Sequence, residues 1–264
     1  MTTAVDERDR VVLTRVSKTY ETATGRTVAL SPTDLTIEPG EFVSVVGPSG
    51  CGKSTLLNLL AGFLEPSDGS LLVGRDPITG PGPERGVVFQ APTLYPWLSV
   101  RGNVEFGPKC RGVHRGTRRA EADRLLELVG LAEFADRRPY ELSGGMQQRA
   151  QIARVLANDP RIILMDEPFG ALDQLTRERL QVELLRLWRK AGKTIVFVTH
   201  SVEEAVFLST RVLVMSARPG RVIVDRRIEL PGGGDGIRDL SVIATPEFQA
   251  LKSSLAQAIY DAHA

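Results

Sequence analysis

Four short, nearly uninterrupted apolar runs stand apart along the chain: FVSVV (42–46), RIILM (161–165), TIVFV (194–198) and RVLVM (211–215). A strand exposed on one face alternates apolar and polar positions. Runs as continuous as these predict strands buried on both faces of a parallel sheet, with helices packed on either side. VVLTRVSKTY and TVALSPTDLTIEPG do alternate and break at turn residues, which predicts a small antiparallel β-subdomain ahead of that core. From about residue 91 to 158 strand signals vanish. There RRAEADRLLELVGL and GGMQQRAQIARVLA set apolar residues at helical spacing, predicting an inserted helical subdomain. PGGGDG (231–236) reads as a linker and ATPEFQALKSSLAQAIYDAHA as a terminal helix. The fold class is therefore a layered α/β architecture.

Composition narrows the class without naming a function. With 264 residues, 42% apolar and 25% charged, the chain can bury a substantial core, which excludes a disordered or fibrous protein. Thirty-three basic and 32 acidic side chains leave a net charge of +1, so no global field selects nucleic acid or an anionic membrane surface. Two cysteines, Cys51 and Cys110, make neither a disulfide framework nor a metal cluster and fit a reducing cytosol. The charged start MTTAVDERDR lacks the apolar core of a signal peptide, and no apolar run reaches the length of a membrane span. If the protein works at a membrane, another chain must cross it.

The stretch from 47 to 55, GPSGCGKST, has three glycines in nine residues, lies between the run FVSVV and the helical pattern KSTLLNLLAGF, and satisfies the phosphate-loop spacing. Its backbone is what such chemistry uses. Gly47, Gly50 and Gly52 let successive N–H groups of the loop, which also holds Pro48, Ser49 and Cys51, face phosphate oxygens, and Lys53 adds a point charge for the outer phosphates. Ser54 is placed as a Mg²⁺ ligand, and Thr55 continues the first helical turn, where the helix dipole favours anions. RIILMDEP ends a buried strand in two acids, and ligands of open α/β sheets bind beyond the carboxyl ends of strands. Asp166 is thus a candidate for the Mg²⁺ shell and Glu167 for polarising an attacking water. Pro168 predicts an extended residue before it. His200 ends TIVFVTH at the same predicted sheet edge, whereas His114 and His263 read as ordinary surface residues. In ELSGGMQQR, Ser143 with Gly144 and Gly145 reads either as an ordinary helix N-cap or as a second anion cradle. One nucleotide does not need two cradles, so the second reading implies a two-fold dimer in which each chain serves its partner's nucleotide.

Taken in order and spacing over about residues 11–228, these motifs resemble the ATP-binding subunit of an ATP-binding-cassette (ABC) transporter. GPSGCGKST is similar to Walker A, LSGGMQQR to the signature, IILMDE to Walker B, GALD (170–173) to the D-loop, and His200 to the switch histidine. By that resemblance Gln90 is the Q-loop glutamine that touches Mg²⁺ and senses the transmembrane partner. Tyr20 is the aromatic that stacks on adenine, and Asp173 crosses the dimer interface. Met146 departs from the signature's commoner glutamine, leaving the Ser143–Gly145 backbone intact.

The resemblance implies a P-loop NTPase with a RecA-like core, an ATP-binding domain over 11–230 and a C-terminal extension over 231–264. It also implies the cofactors ATP and Mg²⁺, a homodimer of ATPase subunits, two transmembrane permease subunits and an extracytoplasmic solute-binding protein. The expected place is the cytoplasmic face of the membrane, peripherally, with no nucleic acid partner. PGPERGVVFQAPTLYPWLSVRGNVEFG, LDQLTRERLQVELLRLW and MSARPGRVIVDRRIELP resemble importer ATPases of the nitrate, sulfonate and taurine group, and by that resemblance no long regulatory domain like that of sugar-importer ATPases is expected. A soluble cassette ATPase, for example in iron–sulfur assembly, is the alternative. Tyr95, Trp97 and Leu98 in LYPWLSV read either as a docking groove for a partner's coupling helix or as subdomain core.

Overall fold

The computed structural model describes residues 9–22, 25–231 and 238–262. It begins with β1 (Val11–Thr22) and β2 (Gly25–Ile37), paired antiparallel from Val11↔Ile37 to Thr22↔Gly25. β3 (Phe42–Val46), α1 (Lys53–Ala61), β4 (Asp68–Val73), β5 (Asp76–Pro77) and β6 (Arg85–Val88) follow. Then come three helices, α2 (Val100–Cys110), α3 (Arg115–Leu128) and α4 (Gly144–Leu156). The chain returns through β7 (Ile162–Asp166), α5 (Gln174–Ala191), β8 (Thr194–Val198), α6 (Val202–Leu208), β9 (Arg211–Met215), β10 (Val222–Arg227) and α7 (Pro246–Asp261).

The apolar runs do form one sheet, in the order β10-β9-β3-β8-β7-β6, parallel from β9 to β6 with β10 antiparallel at one edge. Its strands feed two cores at once. In β7, Ile162 and Leu164 join α1 and the antiparallel sheet, while Ile163 and Met165 face α4 and α5. In β8, Val196 and Val198 divide from Ile195 and Phe197 in the same way. Alternation is hidden in the sequence because both faces are dry. The second sheet, β2-β1-β4-β5, covers one side.

The sequence reading passed over β4, β5, β6, β10 and α2. The strand β10, VIVDRR, is half exposed and charged, and α2, VRGNVEFGPKC, carries two glycines and Pro108. Packing overrides propensity in α2. Ser99 accepts a hydrogen bond from the Gly102 N–H (3.0 Å), and Val100, Asn103 and Val104 are buried. No helix among the described residues is long and apolar enough to cross a membrane. Most of the glycine-rich segment and His263 lie outside the described residues.

Candidate active site

Because β9, β3, β8, β7 and β6 run parallel and side by side, their carboxyl ends bring five loops to one edge in that order. The glycine loop leaves β3, His200 follows β8, Asp166 and Glu167 close β7, and Gln90 follows β6. This is the crevice position in which open α/β sheets bind ligands. A cleft of about 480 Å³ opens there, lined by Tyr20, Thr27, Ser49, Lys53, Ser54 and Glu167 among others.

The glycine loop is built for backbone contact. Gly52 caps α1 at φ 99°, and a Cβ there would lie 2.7 Å from the Ala29 carbonyl, so only glycine fits. The first turn of α1 has no acidic residue and no side-chain cap, which leaves its N–H groups for an anion. Lys53 is 8% exposed, and its Nζ donates to the carbonyls of Gly47 (2.8 Å) and Pro48 (2.9 Å).

Glu167 is the hub of the facing side. Its Oε2 accepts from Gln90 Nε2 (3.1 Å) and lies 3.3 Å from His200 Nδ1, so loops from three adjacent strands meet on one oxygen. The expectation of an extended Glu167 is wrong. It adopts φ 44°, in the left-handed region, while its N–H donates to Val198 (2.9 Å) and its carbonyl accepts from Gly170 (3.2 Å). Pro168 excludes the right-handed helical region, and these bonds select the left-handed one at a cost of about 1–2 kcal/mol. Burial pushes the Asp166 carboxyl above its usual range, and the neighbouring Glu167 charge adds to the shift. A hydrogen bond from Ser54 and the Lys53 charge oppose it.

Ser143 caps α4, its Oγ accepting from the Met146 N–H (3.3 Å), and Ser143 and Gly144 are exposed. Asp173 caps α5, accepting from the Thr176 N–H (3.0 Å), and that bond holds its carboxyl below the ordinary range. Neither residue is among those lining the cleft of its own chain. His114 caps α3 through the Gly116 N–H. Trp97 is 68% exposed, which overturns its reading as subdomain core, and its ring lies 5.4 Å from that of Tyr95.

Two features were missed in the sequence. Arg218, after β9, lines the cleft and donates from Nε to the Gly50 carbonyl (2.9 Å). On α4 the buried Gln148 and Gln151 both donate to the Phe89 carbonyl (3.0 and 2.7 Å), directly before Gln90, and Arg154 donates to the Thr93 carbonyl (2.7 Å). Glutamines three apart on a helix, too polar for the core they enter, were the available signal.

The ABC transporter family profile matches residues 30–170. The taurine import ATP-binding protein TauB of Jannaschia sp. is 48% identical over 254 residues, covering 95% of this chain and 94% of that protein. The protein of the same name from Rhizobium johnstonii is 52% identical over 238 residues, covering 88% and 89%. Among solved structures, a dimeric post-hydrolysis state of the ATP-binding cassette MJ0796 bound to ADP and Pi superposes with a TM-score of 0.75. It is 35% identical and covers 83% of this chain and 99% of that one.

Proposed function

Given that this chain belongs to the ABC transporter family of ATP-binding proteins, we propose that it is the ATP-hydrolysing subunit of an importer for a small anionic solute such as taurine, a sulfonate or nitrate. The observation that carries the reading is the meeting of Glu167, Gln90 and His200 opposite the glycine loop at one sheet edge. The taurine-import relatives support the solute class and favour transport over a soluble cassette ATPase.

In this reading the triphosphate lies in the glycine loop with adenine toward Tyr20, and Lys53 exchanges its loop carbonyls for phosphate oxygens. Glu167 orients the attacking water, and Gln90 and His200 hold its carboxylate in place. Lys53, His200 and the loop N–H groups stabilise charge on the phosphoryl group in transfer. The donor set fits a small hard cation. Ser54 hydrogen-bonds a carboxylate whose burial raises its proton affinity, and Gln90 adds an amide oxygen. Among the described residues no cluster of three His, Cys, Asp or Glu offers a different kind of metal site. Mg²⁺ held by Ser54, Asp166 and Gln90 would neutralise charge on the outer phosphates.

The N-terminus of α4 is exposed and does not line its own cleft, which supports a homodimer in which the partner's Ser143, Gly144 and Gly145 close over the nucleotide, with Asp173 at the interface. Tyr95 and the exposed Trp97, a few residues after Gln90 in the chain, suit docking to a permease subunit at the cytoplasmic face of the membrane. A solute-binding protein then delivers solute from outside.

The test is capture of Glu167→Gln from its native cells with ATP present, followed by mass spectrometry and a turnover assay. An integral membrane permease with a solute-binding protein, and loss of most ATP turnover with ATP binding kept, is the expected result. Recovery of soluble assembly factors alone would overturn the transport reading, and unchanged hydrolysis would remove Glu167 from the chemistry.

A further inference from the structure

The turn between β9 and β10 is clamped onto the glycine loop. Gly220 bridges Leu30 of β2, its N–H donating to the Ala29 carbonyl (3.2 Å) and its own carbonyl accepting from the Ser31 N–H (2.8 Å). A Cβ on Gly220 would fall 2.0 Å from the Cys51 carbonyl, so the turn and the loop are in backbone contact that only glycine permits. Ser216 closes the turn, its N–H donating to the Arg221 carbonyl (2.9 Å) and its Oγ to that of Pro219 (3.2 Å).

Arg218 stands at the tip of this braced turn. An exposed arginine is normally solvated and unrestrained, but here Nε is committed to the Gly50 carbonyl, and a Cβ on Gly50 would lie 3.2 Å from Nη2. The guanidinium fork is thereby held over the middle of the glycine loop. Among the cleft-lining residues the cations are Lys53 and Arg218. Lys53 is buried and engaged with two loop carbonyls, so Arg218 is the cation presented to an arriving ligand. Its ηN–H groups have no carboxylate partner among the described residues. A planar fork restrained at one end and open at the other is suited to bind phosphate.

We infer that Arg218 is a nucleotide-binding residue, donating from its Nη atoms to the phosphates of bound ATP while Nε keeps the Gly50 carbonyl turned out of the loop's anion cradle. The inference rests on the ATP-site reading above. It assigns a second phosphate-binding cation outside the glycine loop, supplied by the turn after β9.

The experiment compares ATP affinity, KM, kcat and melting temperature in the full chain, wild type against Arg218→Ala and Arg218→Lys, at two salt concentrations. Arg218→Ala is expected to weaken ATP binding and raise KM by roughly 10- to 100-fold, with kcat at saturation nearly kept and a shallower salt dependence. Arg218→Lys keeps the charge and should recover part of the affinity and the salt slope. Affinity unchanged in Arg218→Ala overturns the inference. So does a loss that lysine fails to lessen and that comes with a lowered melting temperature, the mark of loop bracing alone. Lys53→Ala separates the two levels. If it weakens ATP binding while Arg218→Ala does not, this inference alone fails; if neither does, the ATP-site reading fails with it.

Discussion

At the scale of single residues, the site holds a conflict between folding and chemistry. Asp166 lies at the end of a buried strand, and burial raises its pKa, so the folded chain binds a proton there more readily than the unfolded chain does. The resulting destabilisation is absent below the unfolded value and grows as pH rises through the folded one. Asp166→Asn should therefore melt about 2 °C higher than wild type at pH 7.5, with the gap narrowing toward pH 4.5, while ATP turnover collapses. A lower melting temperature at pH 7.5 would show that the carboxylate stabilises the fold. The spacing of GPSGCGKST and the acids closing RIILMDE were legible because strand, turn and helix N-terminus are neighbours in sequence. Arg218 was not legible, since the Gly50 carbonyl that gives it meaning lies 168 residues away. The left-handed turn at Glu167 was misread for a related reason. Pro168 only forbids one region, and the partner that chooses among the others, Val198, comes from another strand.

At the scale of elements, four of the parallel strands were legible in their apolar runs, while β6, α2 and β10 were not, because α2 and β10 are held by contacts and not by their own composition. One such contact is a single side chain near the C-terminal helix. Arg238 donates from Nη1 to the carbonyls of Val206, Phe207 and Ser209 at the end of α6, and from Nη2 to that of Ile228. It satisfies carbonyls that a helix end leaves unpaired. Burial pushes its pKa down to about 10, which still leaves it charged at neutral pH. Arg238→Met should cost about 2–3 kcal/mol and lower the melting temperature by about 5 °C, with the ATP affinity kept. An unchanged melting curve would mean that the segment leading to α7 is not fastened through this residue.

At the scale of the whole molecule, the proposed dimer makes a prediction that one chain alone cannot meet. Lys53→Ala and Ser143→Arg should each abolish turnover, yet a mixture should recover up to about a quarter of wild-type activity. Half the dimers are then mixed, and each mixed dimer keeps one site with both an intact Lys53 and an intact Ser143. A mixture as inactive as its parents would place Ser143 on its own chain's nucleotide or outside the site. The need for a partner was legible in the two cradles of the sequence, but the internal linkage between them was not. Gln148 and Gln151 tie α4 to the Phe89 carbonyl, and Arg154 ties it to Thr93, so the loop that carries Trp97 and the helix that begins at Ser143 are stitched together. In mechanical terms they are the two arms of a crank. In the proposed importer a push on the exposed aromatic arm would turn the far arm through these bonds, and such a crank would let an engine burn fuel only when the load moves.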